Sequence, residues 1–129
     1  MTLQELNEHY HLRSRLYNEN QTLRSLHDTA YPKTHLSDMP HAPGIKDRVG
    51  DLAVEIADLS ERIRLMQEKA DRQAEDIIAF VNTIDDGNMR TILRLRFLRC
   101  LTWGEVAAVI GGRNTEEGVK TACYRFLAP

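Results

Sequence analysis

The sequence predicts an all-α protein: an antiparallel helical hairpin or coiled coil, followed by a small helix-turn-helix module of three helices. Three observations carry this prediction. Apolar residues between 46 and 84 recur in alternating steps of three and four. Pro32, Pro40, Pro43 and Gly44 break helical patterning across residues 29–44. The last forty-odd residues run as an arginine-rich helix, a short capped helix, the Gly111-Gly112 turn and a final amphipathic helix. The expected division is therefore 1–84 for the hairpin, with its Pro-rich linker at 29–44, and 85–129 for the module.

The first helix is expected over 3–28. Thr2 and Glu5 have the spacing of a capping box. Leu3, Leu6, Tyr10, Tyr17, Leu23 and Leu26 form a broken apolar stripe, while Glu5, Glu8, Arg13, Arg15 and Arg24 make its polar face. Such a helix requires a packing partner.

That partner is the helix over 46–84. Val49, Leu52, Ile56, Leu59, Ile63, Met66, Ala70, Gln73, Ile77, Phe80 and Ile84 trace a heptad seam with one polar member, Gln73. β-Branched residues at several a positions suit a two-stranded seam. The first helix is shorter, which leaves part of the seam for another chain or for the C-terminal helices. Either a homodimer through Val49, Leu52, Ile56, Leu59, Ile63, Met66 and Ile77 or a monomeric hairpin is expected.

Asp85-Asp86-Gly87-Asn88 separates the hairpin from the module. Gly87 reads as a helix stop, and Asp86 or Asn88 as the next N-cap. This structural role outweighs a catalytic or metal-binding aspartate pair. Helix 89–99 turns Met89, Ile92, Leu93 and Phe97 inward, and Arg90, Arg94, Arg96 and Arg99 largely outward. Thr102 and Glu105 make a second capping box. Trp103, Val106, Val109 and Ile110 form the apolar face of the helix that follows, and Ala107 and Ala108 permit close packing. Asn114 or Thr115 caps the last helix, whose first turn is acidic at Glu116 and Glu117. Val119, Ala122, Cys123, Phe126 and Leu127 are its packed face.

Composition narrows the partners. Charged residues are 28% and aromatics 6%, a balance of solvated helices rather than a large aromatic core. The net charge of −2 is unevenly placed. Residues 87–129 hold seven basic against three acidic side chains, and residues 1–86 hold ten against sixteen. A basic C-terminal part on an acidic stem suits local phosphate contact. Cys100 and Cys123 match no metal spacing and read as reduced thiols of a cytoplasmic chain. No apolar run approaches membrane-spanning length and no signal peptide opens the chain, so no membrane partner is expected. His9 and His11 lie two apart, and His27, His35 and His41 are scattered, so no zinc site is expected. No phosphate loop and no nucleophile with a nearby base is present in the sequence, so neither an enzyme nor a cofactor is expected.

The segment Leu93-Arg-Leu-Arg-Phe-Leu-Arg-Cys-Leu-Thr-Trp-Gly-Glu-Val-Ala-Ala-Val-Ile-Gly111 resembles region 4 of the sigma-70 family. The whole chain is similar to small sigma-region-4-like proteins of Gram-positive phages and prophages, in which a coiled-coil half precedes the module. Met39-Pro-His-Ala-Pro-Gly-Ile-Lys-Asp-Arg-Val-Gly-Asp-Leu52 is similar to their linker. The resemblance covers roughly residues 36–127. It implies a transcriptional regulator that binds double-stranded DNA, RNA polymerase, or both.

In a DNA-reading module, the start of the last helix meets base edges and nearby cations meet phosphates. Arg113, Asn114, Thr115, Glu117, Lys120, Thr121, Tyr124 and Arg125 are the DNA-contacting residues expected here. Glu116 shares the exposed surface, and a Glu can accept from cytosine N4. Two other functions fit the same architecture. A DNA-packaging protein of the terminase small-subunit kind also joins a helix-turn-helix to an oligomerising helix. A protein-binding adaptor or inhibitor without DNA binding suits the acidic stem and the acidic start of the last helix.

Overall fold

The computed structural model describes residues 1–31 and 44–129, with side chains in the second stretch described from residue 50 onward. Every regular element described is helical. They are α1 (Leu3–Ala30), α2 (Gly44–Asn82), α3 (Gly87–Leu93), which runs on into a π-helical turn at Arg94–Leu98, α4 (Trp103–Ile110) and α5 (Glu116–Leu127). The all-α class and the hairpin-plus-module architecture are as the sequence predicts. Residues 32–43, with most of the Pro-rich linker, lie outside the described residues, as does the Val49 side chain. No helix among the described residues is long and apolar enough to cross a membrane.

Two compact units make up the described chain. One comprises Arg15–Glu68, and the other joins Met1–Ser14 to Lys69–Pro129. The second takes in residues on both sides of position 84, so the first turns of α1 and the end of α2 share a core with the module.

In the Arg15–Glu68 unit, Leu16, Ala30 and Leu59 are buried, and Leu23, Leu26, Leu52, Ile56, Ile63 and Met66 are half-buried. The heptad seam therefore points inward. Tyr17 does not join it: this side chain is 65% exposed, and Leu16 takes the inward position instead. Leu16, Leu23 and Ala30 recur at the heptad spacing of seven, so the three share a face that Tyr17 does not. Arg64 pairs with Glu61 and Glu68 on the exposed surface at 2.6 and 2.7 Å.

In the other unit, Thr2 and Glu5 form their reciprocal cap, at 3.0 and 3.2 Å. Leu6 packs in one cluster with Ile77, Val81, Ile84, Met89, Ile92, Leu93, Phe97, Trp103, Val106, Val119 and Cys123. His9 is fully buried, and its Nδ1 donates to Gln73 Oε1 at 2.9 Å. The polar member of the seam thus answers a polar residue on the facing helix. The expected helix stop at Gly87 is not found. α2 ends at Asn82, and Thr83 and Ile84 tighten the exit by donating to the carbonyls of Phe80 and Val81. Gly87 is instead the first residue of α3, with Asp86 as N-cap accepting from the amides of Asn88 and Met89. Asp86 is thereby a structural carboxylate.

Candidate nucleic-acid interface

The candidate interface is built on the compact unit that contains α3 to α5. Its base is a stack around Arg96. The π-helical turn closes through the Arg99 amide and the Arg94 carbonyl at 2.9 Å, five residues apart. Spreading an additional residue over the turn brings Arg96 as well as Phe97 to the inner side. Arg96 is therefore not the outward residue expected. Its guanidinium lies 3.8 Å from the Tyr10 ring centroid and 4.6 Å from that of Trp103. Nη1 donates to the Leu101 carbonyl at 3.1 Å, while Nε is buried with no partner among the described residues. Trp103 meets Phe97 and Tyr124 edge-on, with centroids 6.3 and 6.1 Å apart. One cation and four rings thus tie α1, the π-helical turn, α4 and α5 together.

α4 starts on the predicted capping box: Thr102 Oγ1 accepts from the Glu105 amide and Glu105 accepts from the Thr102 amide. These bonds hold the Glu105 carboxyl below its ordinary range. Trp103, Val106 and Ala107 are buried, but Val109 is 61% exposed and is not part of the packed face. The helix has only two turns, and Val106 and Ile110 already span its inner side. Gly111 ends α4 at φ 74° and ψ −160°, and Gly112 follows at φ 65°. Both conformations favour glycine, as the sequence implies. Asn114 closes the turn, its side-chain amide donating to the Gly111 carbonyl at 2.8 Å.

Thr115 caps α5 by accepting from the Gly118 amide at 3.0 Å. The buried face of α5 is narrower than expected. Val119 and Cys123 are buried and Leu127 half-buried, whereas Ala122 is exposed and Phe126 is 44% exposed. Burial pushes the Cys123 thiol up to about 11, and it also raises that of Cys100, so both stay protonated at neutral pH.

The DNA-contacting residues expected from the sequence divide into two groups. Asn114 and Thr115 spend hydrogen bonds on the turn and the cap, and Tyr124 is half-buried against Trp103. Lys120, also half-buried, places its ammonium 5.7 Å from the Tyr124 ring centroid. Arg113, Glu117, Thr121 and Arg125 are exposed, and none of the four forms a side-chain hydrogen bond or ion pair among the described residues. Glu117, Lys120, Thr121 and Tyr124 stand at i, i+3, i+4 and i+7, so they share one stripe of α5. Glu116 Oε2 lies 3.7 Å from where a Cβ on Gly104 would sit, at the start of α4.

Sequence reasoning missed the His9–Gln73 pair and the Arg96 stack. Gln73, the polar interruption of the seam, is the signal that points to the first. No residue spacing marks the second, because it depends on the wider π-helical turn. No family model, no curated protein and no solved structure matches the chain.

Proposed function

We propose that the chain is a DNA-binding transcriptional regulator of phage or prophage type, acting through α4, the glycine turn and α5. The observation that carries this reading is the α4–turn–α5 unit. Two capped helices meet at a double-glycine turn, and the second offers a polar stripe over an apolar underside. A helix of this width enters the major groove of B-DNA. Glu117 and Thr121 face base edges in this reading, and Arg113, Lys120 and Arg125 reach phosphates. The likeness of residues 93–111 to sigma-70 region 4 supports it, and by the same likeness RNA polymerase is a second partner.

The test is retention of sheared DNA from the source genome at low and near-physiological salt, followed by sequencing of the bound fragments. One enriched site that survives the higher salt is the expected result. Replacing Lys120 and Arg125 together by Ala is expected to weaken binding to all sequences and to lower the salt slope by about 2, roughly 1 for each phosphate left unneutralised. An unchanged slope removes those residues from the interface.

A second reading, the protein-binding adaptor, is favoured by Val109 and Phe126, two large apolar side chains exposed on α4 and α5. Retention of one defined duplex at near-physiological salt ends that reading.

A further inference from the structure

We infer that the chain associates head-to-tail with a second copy of itself, through an arginine-lined groove on one copy and an acidic stripe of α2 on the other. The groove encloses about 430 Å³ and is lined by Arg13, Arg94 and Arg99, with Ala74, Ile78 and Leu98 as its apolar wall. Arg94 and Arg99 are exposed, and Arg94 makes one hydrogen bond, to Asn82 Oδ1 at 3.0 Å. None of the three arginines pairs with a carboxylate among the described residues. Ile78 is 47% exposed, large for a branched apolar residue. A groove with three guanidinium groups and an apolar wall asks for carboxylates grouped around an apolar side chain.

α2 carries that pattern. Asp51, Val54, Glu55 and Asp58 stand at i, i+3, i+4 and i+7, on a face turned away from the Leu52–Ile56–Leu59 seam. All four are exposed, Val54 to 60%. The three carboxylates form no ion pair among the described residues, in contrast to Glu61 and Glu68, which Arg64 already satisfies. These three acids around Val54 complement three arginines beside Ile78. Free DNA phosphates offer no apolar group for Ile78 and Leu98, so the apolar wall favours a protein occupant. The two surfaces differ, which makes the contact heterologous: it closes a ring or extends a chain according to its rotation. It leaves the heptad seam inside each hairpin, and it does not depend on DNA binding.

Charge reversal tests this on the full chain. Sedimentation velocity over a concentration series at low salt is expected to show the wild type associating, and high salt to weaken that association. Arg13→Glu/Arg99→Glu and Glu55→Arg/Asp58→Arg each set like charges against each other and are expected to weaken self-association about tenfold or more. Mixing the two variants is expected to restore it, because the unaltered groove of one meets the unaltered stripe of the other. Circular dichroism checks helicity, and Arg99→Gln, at an exposed position, repeats the test with less perturbation. The inference is overturned by a wild type that stays monomeric, by association that neither variant weakens, or by a mixture that stays apart. A groove variant that still associates but loses duplex DNA assigns the arginines to phosphate, which also overturns it.

Discussion

Gln73 Oε1 accepts from the His9 ring, so Nδ1 carries the proton and the buried Nε2 holds a lone pair with no partner among the described residues. A second proton would place a buried N–H where the described residues offer it no acceptor. Burial accordingly lowers the His9 pKa below the ordinary 6.5; Gln73 partly opposes this and Arg13 adds to it. The unfolded chain then binds the proton more readily than the folded one, and stability rises with pH. Its contribution is fully present above 6.5 and is lost as pH falls through 6.5 toward the lower folded value. Thermal melts between about pH 7.5 and about pH 5.5 are expected to show the midpoint falling. His9→Gln, which keeps an amide for Gln73, is expected to flatten that dependence. Arg96, half-buried, is the other polar residue with structural weight. Arg96→Ala removes two ring stacks and the donor to Leu101, a loss of about 2–4 kcal/mol. Arg96→Lys should recover only part of it, because an ammonium lacks the planar guanidinium face. Chemical denaturation of the three proteins measures both.

At the scale of elements, local chemistry sets the boundaries. Thr102, Thr115 and Asp86 each satisfy amides that the helix itself leaves open. Thr102→Ala is expected to cost about 1 kcal/mol in urea denaturation. The α4–α5 turn is more demanding, because Gly111 occupies a region of backbone space that side chains rarely enter. No atom crowds the position of an added Cβ there, so the penalty of Gly111→Ala is conformational. A destabilisation of about 1–3 kcal/mol is expected. An unchanged denaturation midpoint would mean that the turn relaxes into another conformation.

For the molecule as a whole, the helix-turn-helix module does not own its core. Leu6, Ile77, Val81 and Ile84 cluster with residues of α3 to α5, and Tyr10 stacks on Arg96. A fragment of residues 85–129 is therefore expected to show little cooperative unfolding and markedly less helix per residue than the full chain. A small module deprived of part of its apolar core falls below the size at which burial offsets chain entropy. Far-ultraviolet circular dichroism during heating compares the two. A sharp transition in the fragment would show that the module folds by itself.

The helices α1 and α2, the three capped starts of the module and the glycine turn were legible from the sequence, because each rests on interactions within a few residues. Periodicity alone assigned Leu52, Leu59, Ile77 and Val106 to inner faces, and capping pairs three residues apart placed Thr2 and Thr102. Tertiary structure decided what neighbours in space decide. It chose Leu16 over Tyr17, paired His9 with Gln73 across 64 residues, and left Val109 and Phe126 outside. It also turned Arg96 inward, through a π-helical turn that local patterning reads as ordinary helix. A charged side chain is driven outward by its hydration unless rings and a carbonyl replace that hydration. Those groups come from Tyr10, Trp103 and Leu101, and only the assembled fold brings them to one place.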